Sequence, residues 1–191
     1  NFDFTIEGVD SISADLHKFG LVHPHGISTF SLRDAANLKY QQFDFDNWPY
    51  GRYAVKTFAG SRSGLAVGAA WAVMRHLGED GYRKRAELVT RMAEILENGI
   101  KAIPGLRMLA PPEAGCFVYT SDEVDIVAVA EALTARGHDA SWCKKPPAIH
   151  ILLYPIEEIA PVADYLAALA EAVAEVRATG RTAKDRQATY A

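Results

Sequence analysis

The stretch SISADLHKFGLVHPHG, residues 11–26, carries a lysine at the close of a strand-like run, with His17 before it and Phe19-Gly20 after it. A lysine is almost never fully buried unless it is paired or chemically employed. Two readings of Lys18 stand side by side. It is a surface lysine whose stem snorkels over apolar neighbours, or it is an amine that forms an imine with an aldehyde. In the second case desolvation weakens the ammonium's hold on its proton and frees the nitrogen as a nucleophile.

The elements that must carry this lysine follow from periodicity. Ser11-Ile12-Ser13-Ala14 alternates small polar and apolar residues, which predicts a buried strand ending at Asp15. Gly26 to Leu32 alternates again and predicts a second strand, joined to the first by the turn-rich FGLVHPHG. Leu38 to Tyr53, rich in aromatics, Asn and Asp and broken by Pro49 and Gly51, reads as a long ordered loop. Leu65, Ala69, Val73 and Leu77 then recur at helical spacing until Gly78, and a second helix is expected from Gly81 to Lys101, closed by Pro104-Gly105.

Beyond that point the texture becomes a small α+β layer. Strands are expected over Leu106 to Leu109, Cys116 to Tyr119 and AIHILL, with helices over Val124 to Arg136, capped by Gly137, and Ile156 to Arg177. His150 reads as a satisfied core or hinge histidine, and Trp142, Cys143 and the neighbouring lysines as interdomain packing. Residues 179–191 are polar and are expected to be loose.

With 191 residues, 49% of them hydrophobic, the chain can bury a real core. A formal net charge of −4, with Lys and Arg scattered, argues against a nucleic-acid partner. The two cysteines lack metal-ligand spacing, so no metal site is expected, and free thiols suit a reducing, cytoplasmic setting. No apolar run approaches the length of about 18 residues that a membrane span needs. The chain opens on NFDFTIEGVD, extended and without a preceding element to pack on, and reads as a piece of something longer.

Asp15-Leu16-His17-Lys18-Phe19-Gly20, preceded by Ser-Ile-Ser-Ala, resembles the lysine motif of the fold type I pyridoxal phosphate enzymes. Within them it is similar to the sphingosine-1-phosphate lyase branch of the group II amino-acid decarboxylase relatives. YGRYAVKTFAGSRSG, HLGEDGY, FDFTIEGV and PPAIHI match further family positions, so the resemblance covers nearly the whole chain. It implies an α/β fold, the C-terminal half of a fold type I transferase-like architecture. Residues 1–102 would close the large domain and residues 103–178 would form the small α+β domain.

It also implies pyridoxal 5'-phosphate held as an imine on Lys18, with His17 at the cofactor phosphate or ring edge. Asp15 would contact the cofactor or fix the lysine loop. Gly60 and Ser61 would lie near a phosphate, often that of the neighbouring subunit, since family active sites form at a dimer interface; backbone amides ahead of a helix suit an anion. Arg62 adds charge there or serves a structural ion pair. Tyr53 is a candidate proton carrier or a packed loop aromatic.

Two departures stand out. Where the family usually has Ala-Pro-Lys-Gly, this chain has His23-Pro24-His25-Gly26, so that His25 is a candidate for proton transfer. Lys56 replaces an expected proline and is a rival amine or an anion binder. The family's pyridine-nitrogen aspartate, stacking aromatic and phosphate loop lie upstream of residue 1, so a companion chain or an N-terminal half must supply them. The expected reaction is a retro-aldol carbon–carbon cleavage of a 2-amino-3-hydroxy substrate resembling sphingosine-1-phosphate, giving an aldehyde and a small amine such as phosphoethanolamine. Alternatives are an L-amino-acid decarboxylase and a non-catalytic subunit of a split enzyme.

Overall fold

The computed structural model describes residues 3–155 and 160–184. The chain forms two compact units, Asn1–Glu79 and Asp80–Ala191.

In the first unit β1, Ser11–Asp15, pairs antiparallel with β2, Ser28–Leu32, in a register that sets Asp15 opposite Ser28. A 3-10 helix over Ala35–Tyr40 follows, started by Asp34, whose side chain accepts from the Ala36 amide. The region expected as loop then forms a second ribbon, with β3, Phe43–Phe45, antiparallel to β4, Tyr53–Val55. The cause is local: Phe43-Asp44-Phe45 alternates like a strand, and Arg52 grips Asp44 with both ends of its guanidinium. Helix α1, Gly64–Ala102, begins under a cap in which the Leu65 amide donates to Ser63 Oγ at 3.2 Å. Its backbone leaves helical geometry at Gly78, with φ 59° and ψ −176°, the place where the apolar period breaks.

In the second unit β5 Leu106–Met108, β6 Cys116–Ser121, β7 Trp142–Lys144 and β8 Pro147–Leu152 make an antiparallel sheet in the order β5-β6-β8-β7. Helices α2, Ile126–Ala135, and α3, Ala160–Thr179, complete the layer. Asp125 caps α2 by accepting from the Val127 and Ala128 amides, and Gly137 ends it at φ 86°. The core joins Met92, Leu96 and Ile100 of α1 to Tyr119, Leu133, Ile149, Leu169 and Val173, all at most 2% exposed.

Several expectations change here. The two compact units part between 79 and 80, and residues 89–100 of α1, in the stretch expected to close the large domain, supply one wall of the second unit's core. The strand β7 was not anticipated; Trp142 packs on the second unit's own core instead of serving interdomain packing. The predicted start of the last helix, 156–159, lies outside the described residues, as do 185–191 of the expected loose tail. Within 180–184 the chain is tied down. Arg181 pairs with Glu131 at 2.9 Å and Glu175 at 3.1 Å, and the amides of Ala183 and Lys184 donate to Asp125 and Glu131. No helix among the described residues is long and apolar enough to cross a membrane.

Candidate active site

The residues singled out around Lys18 sit on the connection between β1 and β2. Lys18 Nζ lies 2.8 Å from Asp15 Oδ2, one turn back at the end of β1, and Ser28 Oγ donates to Asp15 Oδ1 at 2.5 Å from the facing strand. The Lys18 ammonium first, and Ser28 after it, hold the Asp15 carboxyl below the usual carboxylate range. Asp15 thus links the lysine to the first residue of β2 through Lys18 Nζ and Ser28 Oγ.

The backbone of this loop is closely determined. The Leu16 and His17 amides reach Ile27 O, the Val22 amide reaches Leu16 O at 3.0 Å, and Val22 is wholly buried beneath the turn. A Cβ at Gly20 would stand 2.5 Å from Leu16 O and 2.8 Å from Leu16 Cα, so only glycine lets the loop close behind Lys18. Leu21 takes a left-handed φ of 59° at the same turn.

Three imidazoles gather here. His17 donates from Nδ1 to Ile27 O at 2.8 Å, which leaves Nε2 as its other ring nitrogen. Its ring lies 5.5 Å from that of His25, which stacks on His23 at 5.1 Å. Among the described residues no set of three or more His, Cys, Asp or Glu is placed to hold a metal ion. A primary amine fixed by a carboxylate, on the same connection as three imidazoles, is a donor set suited to a group bearing both an aldehyde and a phosphate.

Within these residues alone, the ribbon that carries Lys18 does not itself supply the desolvation expected of that amine. The Lys18 side chain is 52% exposed and that of Asp15 35%, and no residue of β1 is fully buried. A two-stranded ribbon has too few neighbours to bury both of its faces.

A second group forms around β4. Tyr53 is 45% exposed and meets Phe43 edge-on at 6.4 Å, while its hydroxyl lies 3.8 Å from where a Cβ would stand at Gly60. The structure thus brings Tyr53 and Gly60 together. Ser61 follows in an exposed segment that leads into the Ser63 cap and the N-terminus of α1, and Lys56 and Arg62 are also exposed. One pairing of reactive groups had no signal in the sequence. Cys116 Sγ lies 3.2 Å from His150 Nε2, so His150 is half-buried and bonded to a thiol instead of satisfied within a core.

Comparison with known proteins places this geometry in context. Residues 1–120 match the family model described as the pyridoxal-dependent decarboxylase conserved domain. The chain is 36% identical over 177 residues to the sphingosine-1-phosphate lyase of Arabidopsis thaliana, covering 93% of this chain and 32% of the relative. It is 33% identical over 156 residues to a probable L-tyrosine/L-aspartate decarboxylase of Methanothermobacter thermautotrophicus, covering 81% of this chain and 41% of the relative. Among solved structures it is similar to the Burkholderia pseudomallei sphingosine-1-phosphate lyase at a TM-score of 0.87 and 37% identity, over 94% of this chain and 41% of that one. The chain thus spans about a third to two-fifths of the length of these relatives. The expected fold type I architecture, α/β with a small α+β layer, is borne out.

Proposed function

The chain belongs to the pyridoxal-dependent decarboxylase conserved-domain family, and on that premise we propose that it is the lysine-bearing part of a pyridoxal phosphate-dependent carbon–carbon lyase. The substrate is a 2-amino-3-hydroxy compound resembling sphingosine-1-phosphate, cleaved to an aldehyde and a small amine such as phosphoethanolamine. The observation that carries this reading is the Asp15-held Lys18 amine, in a chain 36% to 37% identical to sphingosine-1-phosphate lyases over more than nine-tenths of its length. Pyridoxal phosphate, when bound, supplies the electron sink that such a cleavage requires.

The chain's own residues do the rest. Lys18 Nζ is the covalent anchor, and Asp15 with Ser28 keeps that nitrogen at the end of β1. His17, its Nδ1 committed to Ile27 O, leaves Nε2 for the cofactor's phosphate or ring edge. His25 takes the proton from the substrate's β-hydroxyl at a ring nitrogen, or Tyr53 carries it at its phenolic oxygen. Gly60 and Ser61 meet a phosphate with backbone amides ahead of α1. A companion chain or an N-terminal half supplies the pyridine-nitrogen carboxylate and the phosphate loop, and the working form is a homodimer or higher oligomer with the site at its interface.

A decarboxylase is the second reading, favoured by the 33% identity to the probable L-tyrosine/L-aspartate decarboxylase. Borohydride reduction of the whole purified particle, followed by peptide mass analysis, tests the anchor. A pyridoxyl group on Lys18 is expected, and one on Lys56, or none, overturns the assignment. Product analysis separates the reactions, since aldehyde with amine supports the lyase and carbon dioxide the decarboxylase. An adduct-free particle that yields neither is a non-catalytic subunit.

A further inference from the structure

The second unit carries a reactive pair that the Lys18 chemistry does not use. Cys116 opens β6 and His150 lies in β8; the register sets Cys116 opposite Leu152 and Val118 opposite His150. Cys116 and His150 are therefore diagonal neighbours on one face of the sheet, a spacing that long side chains can span. Sγ and Nε2 stand 3.2 Å apart, within hydrogen-bond distance for sulfur. The backbone that carries the imidazole is fixed in the sheet, because the His150 amide donates to Ser141 O at 2.9 Å. Cys116 is exposed and free, so its sulfur is open to attack on a reagent in solution. His150 also borders a cavity of about 430 Å³ that Cys116 does not line, so a reagent reaches the sulfur from its exposed side.

We propose that Cys116 and His150 form an activated-thiol site that is alkylated by soft carbon electrophiles. The thiolate is the nucleophilic form of cysteine, and an imidazole in contact with the thiol is the usual means of generating it. His150 Nε2 accepts the Sγ proton as Sγ bonds to the electrophilic carbon. With a haloacetamide the carbon–halogen bond breaks, the halide departs with its electron pair, and the imidazolium returns its proton to water. Atoms and charge balance without an oxidant or a reductant.

Iodoacetamide is the probe, applied at neutral pH to the full chain, with alkylation followed separately at Cys116 and Cys143 by peptide mass spectrometry. Cys116 is expected to react about tenfold faster in the folded protein than in the same chain unfolded in urea, since exposure alone cannot exceed the unfolded rate. His150→Gln is expected to remove that advantage and to leave the Cys143 rate as it was. A folded Cys116 rate at or below the unfolded rate overturns the proposal, whatever the variant does. So does an undiminished rate in His150→Gln.

Discussion

The two units manage their apolar residues in opposite ways. In the second, Leu133, Ile149 and Leu169 are fully sealed from solvent and α2 is buried along most of its length. In the first, Tyr50 is 92% exposed, Tyr40 80%, Leu65 68% and Trp71 67%, and on α1 the exposed Val67, Trp71 and Met74 fall at helical spacing on one face. The second unit contains what it needs to hold its own shape. The first carries the candidate active-site residues on two small ribbons and one end of a helix, with large apolar surfaces of the kind that mark a contact with further protein. The two-thirds of the relatives' length that this chain does not span, or another subunit, is the proposed cover.

That contrast can be broken at either end. The largest effect is expected from Lys18→Ala in the assembled enzyme. Activity should fall by at least about three orders of magnitude, while the denaturant midpoint of the isolated, cofactor-free chain stays where it was, because there the Lys18–Asp15 ion pair is exposed and contributes little to folding. A midpoint that fell with the activity would mean that the first unit's chemistry and its stability cannot be separated. Next in size is Leu133→Ala, for which equilibrium unfolding should show a loss of about 2–5 kcal/mol as a cavity opens in the sealed core.

The buried phenol pair gives a third test. Tyr119 and Tyr165 share a 2.6 Å hydrogen bond, and burial pushes Tyr165 up to about 12 and Tyr119 well above the ordinary range near 10. Both acids are favoured neutral in the fold, so their contribution is full below pH 10 and is lost as the pH climbs towards 12. Alkaline titration should therefore show tyrosinate absorbance and loss of circular dichroism rising together in that window. Tyr119→Phe, which leaves the Tyr165 hydroxyl without that partner, should cost about 1–3 kcal/mol at neutral pH. Smallest of all is Trp71→Ser in the isolated chain, where thermal unfolding should register a change within about 0.5 kcal/mol. A much larger loss would show that the tryptophan is already packed and would sharpen the boundary between the units.

Much of this was legible from local pattern. The alternation in SISAD and STFSL announced β1 and β2, the break at Gly78 announced the interruption of α1, and the Lys18 motif announced the family. The hairpin β3–β4 was not legible, since three-residue strands separated by a Pro- and Gly-broken connection look like loop until Arg52 is seen to lock onto Asp44. The order of residues 180–184 was hidden for a similar reason: Arg181 finds Glu131 at a separation of 50 residues.

By itself the sequence determined the immediate setting of Lys18. Asp15, His17 and Gly20 lie within three residues of it, and one turn of backbone suffices to bring the carboxylate onto the amine. It also determined that α2 and α3 are helices with apolar residues to bury, since composition and period are properties of each helix alone. How far Lys18 is shielded is a matter for tertiary structure, since exposure depends on what flanks a ribbon and not on the ribbon's own residues. The meeting of Cys116 with His150 was decided there too. Register between β6 and β8 brings together residues 34 positions apart in the sequence, and a shift of one residue would turn the imidazole to the opposite face of the sheet.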